Sequence, residues 1–211
     1  MSEHVALLGD SIFDNRAYTR GEPAVIEHLK VLLPPGWTAT LTAIDGSTTS
    51  DLDEQLALLP NGVTRAILSV GGNDALLNAD LLNLPVMSTR EALLLFSTRC
   101  LKFEVAYRAA LDAVVARIPA LTVCTIYNGN LPPDDAPTAR IALMLFNDVI
   151  LRAAFERGLN VIDLRAVCSE AADYANPIEP SGQGGRKIAS AIAAAVGITP
   201  ATVRSSVTCA R

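Results

Sequence analysis

Short apolar runs alternate with helical patterns along the chain, and this alternation limits the possible folds more than any other feature. The apolar runs are Val5–Leu8, Thr38–Ile44, Ala66–Val70, Leu121–Ile126 and Val161–Leu164. The helical patterns are Ala24–Leu33, Leu52–Leu58, Thr89–Arg117, Thr138–Arg157 and Ser181–Val196. Strands that alternate with helices pair in parallel through right-handed crossovers, which place helices on both faces of the sheet. The pattern therefore predicts an α/β fold, a three-layer α/β/α sandwich around a five-stranded parallel sheet.

Length and composition favour one domain over the whole chain. The 211 residues are 50% hydrophobic, which is enough for a full core, and no linker or internal repeat divides them. We expect a single domain over residues 1–211. The last segment, 198–211, is small and polar, and is expected to be a partly mobile tail.

Charge and hydropathy exclude several classes of partner. The formal net charge is -5, and no cluster of Lys and Arg could neutralise a phosphate backbone, so we expect no nucleic-acid partner. No run approaches the ~18 apolar residues of a spanning helix, and the N-terminus lacks a signal-peptide pattern, so we expect a cytoplasmic protein without a membrane partner. The four cysteines are widely spaced and only two histidines occur, which indicates no metal site.

Small and polar residues follow the first three predicted strands. Gly9-Asp10-Ser11 comes directly after the first, Gly46 after the second, and Gly71-Gly72-Asn73-Asp74 after the third. In an open parallel sheet the ligand lies at the carboxyl ends of the strands, so these residues are expected to share one cleft. Each motif alone is also an ordinary turn, and the combination at three successive strand ends is the specific signal.

On these motifs the chain resembles the SGNH (GDSL-type) serine hydrolase family, over nearly its whole length. The resemblance implies that fold, with a flavodoxin-like sheet, and hydrolysis of small acyl esters through an acyl-enzyme, without metal or cofactor. It implies that Ser11 is the nucleophile. It also implies an oxyanion hole formed by the backbone N–H groups of Ser11 and Gly46 and by the side chain of Asn73.

The last family motif is altered in this chain. The family pattern is Asp-x-x-His before the terminal helix, and the matching stretch here is Asn176-Pro177-Ile178-Glu179. The two histidines cannot easily replace the missing one. His4 begins the first strand while Ser11 follows its far end, and His28 lies within the first helical pattern, where we expect it at the surface.

Two principal interpretations of this change remain open. Glu179 replaces histidine as the general base, with the Asn176 amide donating a hydrogen bond that orients it; alternatively, the protein is inactive and binds a small ligand or protein partner in the same cleft. An aspartate beside Glu179 would repel it, so the two changes are mutually consistent. A weaker third interpretation takes the base from an oligomeric partner, although the sequence does not reveal the oligomeric state.

A carboxylate base predicts a particular pH dependence. Glutamate has an ordinary pKa of ~4.3, against ~6.5 for histidine. The acid limb of the activity profile is therefore expected below ~6.5, unless burial beside Pro177, Ile178 and Pro180 raises the pKa of Glu179 strongly. Three further side chains are expected to contact the substrate. They are those of Asp10, Asp74 and Tyr127.

Overall fold

The sheet confirms the predicted architecture and adds one strand. The structure is a computed structural model that describes residues 2–198 and 206–207. The strands are β1 (His4–Gly9), β2 (Thr38–Leu41), β3 (Arg65–Ser69), β4 (Leu121–Cys124), β5 (Asn160–Ile162) and β6 (Ser206–Val207). Their order is β2-β1-β3-β4-β5-β6; the first five are parallel, and β6 pairs with β5 antiparallel. The expected mobile tail contains β6, which the sequence did not predict; residues 199–205 and 208–211 lie outside the described residues.

Helices follow the strands as the sequence patterns indicate. They are α1 (Val25–Leu32), α2 (Leu52–Ala57), α3 (Gly72–Leu76), α4 (Thr89–Arg117), α5 (Ala136–Glu156), α6 (Leu164–Val167) and α7 (Gly182–Ala195). Short 3-10 turns occupy Thr49–Asp51, Ala79–Asn83 and Ala171–Asp173. α3 and α6 were not predicted. The glycine pair at the start of α3 indicates a turn rather than a helix, and Leu164, the first residue of α6, was assigned to the fifth predicted strand.

The sheet is covered on both faces by apolar side chains. Successive residues of a strand point to opposite faces, so Ala6 and Leu8 of β1 join the core beneath α2, α4 and α5, whereas Val5 and Leu7 join the core beneath α1, α6 and α7. All four side chains are fully buried. Burial on both faces explains why the strands read as continuous apolar runs rather than alternating ones.

The topology brings three motifs to one edge. β1 lies between β2 and β3, and all three run in the same direction. Their carboxyl ends therefore meet, and the loops that carry Ser11, Gly46 and Asn73 leave the sheet side by side.

The helices and the cysteines bear on the predictions about a membrane and about a metal site. Among the helices that the structure describes, none combines the length and apolarity needed to cross a membrane. Cys100, Cys124 and Cys168 are free thiols, and Cys209 lies outside the described residues.

Candidate active site

Ser11 lies in a tight turn immediately after β1. The strand ends at Gly9, whose φ of 125° suits glycine, and a Cβ there would lie 1.8 Å from the carbonyl oxygen of Ser69 on β3. The Phe13 N–H donates to the Asp10 carbonyl at 3.1 Å and closes the turn. Ser11 is 7% exposed, so its hydroxyl is held in a restricted environment at the carboxyl edge of the sheet.

Gln55 of α2 clamps the strand end beneath Ser11. Its side chain is fully buried, accepts a hydrogen bond from the Gly9 N–H at 2.8 Å and donates to the Gly9 carbonyl at 2.7 Å. The same amide nitrogen donates to Ser47 Oγ at 3.1 Å, next to Gly46. The role of Gln55 is not evident from the sequence, because a glutamine inside an amphipathic helix gives no signal of its buried partners.

Gln55→Leu is expected to destabilise the protein and to slow any reaction at Ser11. The change leaves the buried Gly9 N–H without its partner, which costs about 1–3 kcal/mol. It also releases the end of β1 from the loop of Gly46. Chemical denaturation and esterase kinetics measure the two effects, with Ala57→Leu on the exposed side of the same helix as control. Unchanged stability and kcat would contradict the clamp.

Glu179 reaches Ser11 from the loop before α7. The Ser11 hydroxyl donates to Glu179 Oε1 at 3.1 Å, and the Glu179 side chain is nearly buried, with its residue 6% exposed. The second carboxylate oxygen, Oε2, is buried and has no hydrogen-bond partner among the described residues. This contact forms a serine–carboxylate pair at the carboxyl edge of the sheet.

Backbone contacts hold the Glu179 loop in place. The Tyr127 hydroxyl donates to the Ile178 carbonyl at 2.5 Å, and the Asn130 N–H donates to the Pro177 carbonyl at 2.8 Å. Gly129 has a φ of 74°, and a Cβ there would lie 2.6 Å from the Pro177 oxygen, so a larger residue would displace the loop. Tyr127 lines the cavity, as predicted, but its hydroxyl is engaged by the protein.

Asn176 orients Glu179 in a different way from the prediction. Its side-chain oxygen accepts hydrogen bonds from the backbone N–H groups of Ile178 and Glu179, both at 2.9 Å. The predicted donation from the Asn176 amide to the Glu179 carboxylate is therefore wrong. Asn176 is exposed and shapes the turn, because an Asn oxygen readily caps N–H groups two and three residues ahead.

The two carboxyl groups nearest Ser11 are both held toward their neutral forms. Burial raises the pKa of Glu179 to about 7, with a smaller contribution from Asp45, and the Ser11 hydrogen bond opposes it. Burial also raises the pKa of Asp10 to about 8, the negative charges of Glu179 and Asp74 add to it, and the Ile12 N–H opposes it. Among the described residues, no basic side chain forms an ion pair with either carboxyl group.

Three predicted oxyanion donors lie around Ser11 with unequal access to the cavity. Ser11 and Asn73 line the cavity, and the Asn73 amide also donates to the Ser47 carbonyl at 2.9 Å. Gly46 sits in an exposed turn with a φ of 81° and does not line the cavity, contrary to the prediction of a shared cleft. The backbone N–H groups of Ser11 and Gly46 have no acceptor within the described part of the chain.

Of the two aspartates predicted to contact the substrate, only Asp10 reaches the cavity. Asp10 lines it beside Ser11. Asp74 lies outside the cavity lining, contrary to the prediction, because its carboxylate accepts hydrogen bonds from the Thr49 hydroxyl at 2.7 Å and the Thr49 N–H at 3.1 Å. Asp74 therefore ties α3 to the 3-10 turn that begins at Thr49.

The cavity beside Ser11 has a volume of ≈ 140 Å³ and mainly apolar walls. Its polar groups near the nucleophile are those of Asp10, Ser11, Asn73 and Glu179. Much of the apolar wall comes from α3, the following 3-10 turn, α4 and α5, and loop residues such as Val70, Ile126 and Ile178 complete it. Leu76, Leu82, Phe96, Ala142, Leu143 and Phe146 form much of it.

Neither histidine reaches the site. His4 Nε2 contacts the Thr40 hydroxyl at 2.7 Å at the opposite end of β1 from Ser11. His28 lies on α1 and is only partly exposed, with its Nε2 atom buried and unpartnered among the described residues, so it is less exposed than predicted. Within residues 2–198 and 206–207, no three His, Cys, Asp or Glu side chains are grouped closely enough to hold a metal ion.

An ion pair between a buried aspartate and a partly exposed lysine supports the turn that precedes Glu179 and was not found from the sequence. The Asp173 carboxylate is fully buried, and Lys187 of α7 lies 2.7 Å from it. Asp173 also joins the loop to α7 through its carbonyl, which accepts from the Ser181 N–H at 2.9 Å. Lys187 thus holds the turn before Glu179 against α7.

Solved structures of similar fold cover almost the whole chain. An extracellular lipase from Streptomyces rimosus is 16% identical, with a TM-score of 0.66 over 92% of this chain and 100% of the other. An acetyl xylan esterase from Geobacillus stearothermophilus, solved as a point variant, is 20% identical, with a TM-score of 0.66 and coverages of 95% and 97%. The lipase Lip_vut3 from a goat rumen metagenome is 19% identical, with a TM-score of 0.70 and coverages of 93% and 98%. At these identities the likeness shows the fold.

The sequence itself identifies the family. No curated protein matches the chain. The family model for GDSL-like lipases and acylhydrolases matches residues 7–187, a span that includes Ser11, Asn73 and Glu179. This chain therefore belongs to the GDSL-like lipase/acylhydrolase family.

Proposed function

We propose that the protein is a serine esterase that cleaves acyl esters through an acyl-enzyme on Ser11, with Glu179 as the general base. The observation that carries the proposal is the 3.1 Å hydrogen bond from the Ser11 hydroxyl to the Glu179 carboxylate, at the polar end of an apolar cavity. A nucleophile within hydrogen-bond reach of a base is the arrangement that covalent catalysis requires.

The first half of the reaction forms the acyl-enzyme. Glu179 Oε1 accepts the hydroxyl proton while Ser11 Oγ bonds to the ester carbonyl carbon. The negative charge that develops on the carbonyl oxygen is stabilised by the Ser11 N–H and the Asn73 amide. The tetrahedral intermediate then collapses, the C–O bond to the alcohol breaks, and the protonated Glu179 returns its proton to the leaving oxygen.

The second half repeats the same chemistry with water. Glu179 accepts a proton from a water molecule as its oxygen attacks the acyl carbon, and Ser11 leaves with that proton. A carboxylate can do this without an aspartate partner, because it has no tautomer to fix and its protonated form is neutral. The low proton affinity of an ordinary glutamate is offset by burial, which raises the pKa of Glu179 to about 7.

Hydrolysis of a panel of p-nitrophenyl esters by purified protein tests the proposal. We expect turnover by the wild type and none above background by Ser11→Ala, which lacks the nucleophile. Equal rates for the two proteins would overturn the proposal. Turnover by neither would favour a ligand-binding protein with the same cleft.

The acid limb of kcat/KM is expected near pH 7, above the range anticipated for an unburied carboxylate. Glu179 must be ionised to act, and burial raises its pKa to about 7. A limb at this pH resembles that of histidine, so its position alone does not identify the group. Ionisation of a carboxyl group creates charge, so an added organic cosolvent should move the limb to higher pH. A limb that stays in place or moves down would contradict the assignment.

A further inference from the structure

The cavity beside Ser11 has chemically distinct ends. The groups that would handle the ester bond, Ser11, Asn73 and Glu179, are polar, whereas the remaining wall is dominated by aliphatic and aromatic side chains. Five further polar side chains line the cavity, those of Ser69, Asn78, Thr125, Tyr127 and Asn128, and the protein itself binds the Asn78 amide and the Thr125 and Tyr127 hydroxyls. The Asn78 amide donates to the Asp74 carbonyl at 2.8 Å, and the Thr125 hydroxyl donates to Asp163 at 2.9 Å.

The mouth of the cavity is apolar as well. Leu76 and Leu82 line the cavity and are also 49% and 41% exposed, so they stand where the cavity meets solvent. Further large apolar side chains between α3 and α4 are exposed. They are those of Leu77, Leu84, Val86 and Met87. Apolar surface of this kind commonly marks a binding site for an apolar ligand.

The reaction order decides which part of the ester would occupy this space. In the proposed mechanism the acyl group stays bonded to Ser11 Oγ while the alcohol departs and water enters. An apolar space suits the group that is retained, because each methylene that it removes from water strengthens binding several-fold. The acyl chain gains that contribution throughout the reaction, whereas the alcohol must leave.

We propose that this cavity is an acyl pocket, and that the enzyme selects linear acyl chains of medium length over acetyl groups. The inference rests on the proposed function and refines its substrate class. Ala139 and Ala142 of α5 contribute small side chains to the wall, which leaves room for a chain between α5 and the residues from α3 and α4. A larger side chain at either position would fill that room.

Two isomeric esters test the pocket on the wild-type protein. Ethyl hexanoate and hexyl acetate have the same atoms and differ only in which side of the ester carries the long chain. We expect kcat/KM for ethyl hexanoate to exceed that for hexyl acetate at least tenfold, since about 0.8 kcal/mol per methylene corresponds to roughly fourfold each. A preference for hexyl acetate would assign the cavity to the alcohol. Equal values would overturn the acyl pocket while leaving the serine mechanism intact.

Filling the cavity gives an independent test. Ala142→Phe and Ala139→Leu are each expected to change chain-length selectivity. The ratio of kcat/KM for a hexanoate ester to kcat/KM for the acetate ester of the same alcohol should fall at least tenfold. Met144→Phe places the same phenylalanine side chain at an exposed position of α5 outside the cavity lining, and should leave the ratio unchanged. Labelling of Ser11 by a fluorophosphonate separates the acyl-pocket proposal from the serine-esterase function on which it rests. Labelling without any chain-length effect would reject the pocket alone, and an unlabelled wild type without turnover would reject the proposed function and the pocket together.

Discussion

Replacement of Glu179 by glutamine is expected to lower kcat by on the order of a hundredfold or more, the usual contribution of general-base catalysis. Glutamine keeps the shape of the side chain and can still contact the Ser11 hydroxyl, which lies 3.1 Å from the carboxylate, but it cannot accept the proton. Steady-state kinetics on a p-nitrophenyl ester measures the effect.

A matched control separates the base from general effects of charge. Glu54→Gln removes a carboxylate from an exposed position on α2 and should leave kcat unchanged. The Glu179→Gln protein should also be at least as stable as the wild type near pH 8, because a buried carboxylate without a basic partner is costly. Full activity in Glu179→Gln would remove Glu179 from the mechanism.

Asp10→Asn is expected to stabilise the protein at alkaline pH by on the order of 3–5 kcal/mol, or roughly 10 °C in Tm. Burial raises the pKa of Asp10 to about 8, whereas the unfolded chain has its ordinary value of 3.8. The unfolded state therefore loses this proton first, and the stability of the wild type should fall as pH rises from about 4 to about 8. Asparagine has no proton to lose and can still accept the Ile12 N–H.

Thermal unfolding of both proteins between pH 4 and pH 9 tests this expectation. The two Tm values should lie close together near pH 4 and diverge steadily up to about pH 8, because the folded wild type retains the proton over that range. Glu179, with a pKa raised to about 7, contributes a smaller fall to both proteins. Parallel curves would show that Asp10 is ionised at little cost in the folded state.

Raised pKa values on two adjacent carboxyl groups are consistent with a site that trades stability for reactivity. Ser11 lies between the Asp10 backbone and the Glu179 carboxylate, in a region without a compensating cation among the described residues. A base with a pKa near neutrality has both a usable ionised fraction and adequate proton affinity. Such sites persist because the rest of the core supplies the stability that they cost.

The sheet was predictable because burial on both faces produces continuous apolar runs. The boundaries were less so: the second run continues to Ile44, but β2 ends at Leu41, after which Thr42, Ala43 and Ile44 bond to Leu7 and Gly9 outside the regular ladder. β6 could not be predicted, since Ser206–Val207 is too short to produce a pattern.

The placement of Ser11 and Asn73 in one cleft could be predicted from the strand ends. The hydrogen-bond partners of individual polar side chains could not. Asn176 bonds to backbone N–H groups two and three positions ahead, which depends on local turn geometry, and Asp74 bonds to Thr49, 25 positions away, which depends on how the elements pack. Gln55 was missed because its partners are the backbone of a strand 46 positions away. The prolines beside Glu179 indicate that burial raises its pKa, but they do not indicate by how much.

The rate at which a fluorophosphonate labels Ser11, with the site located by peptide mass spectrometry, tests most directly whether Glu179 activates the serine. We expect the wild type to be labelled at Ser11, Ser11→Ala to be unlabelled there, and Glu179→Gln to react on the order of a hundredfold more slowly. An unlabelled wild type, or equal labelling rates in the wild type and Glu179→Gln, would contradict the serine–glutamate mechanism.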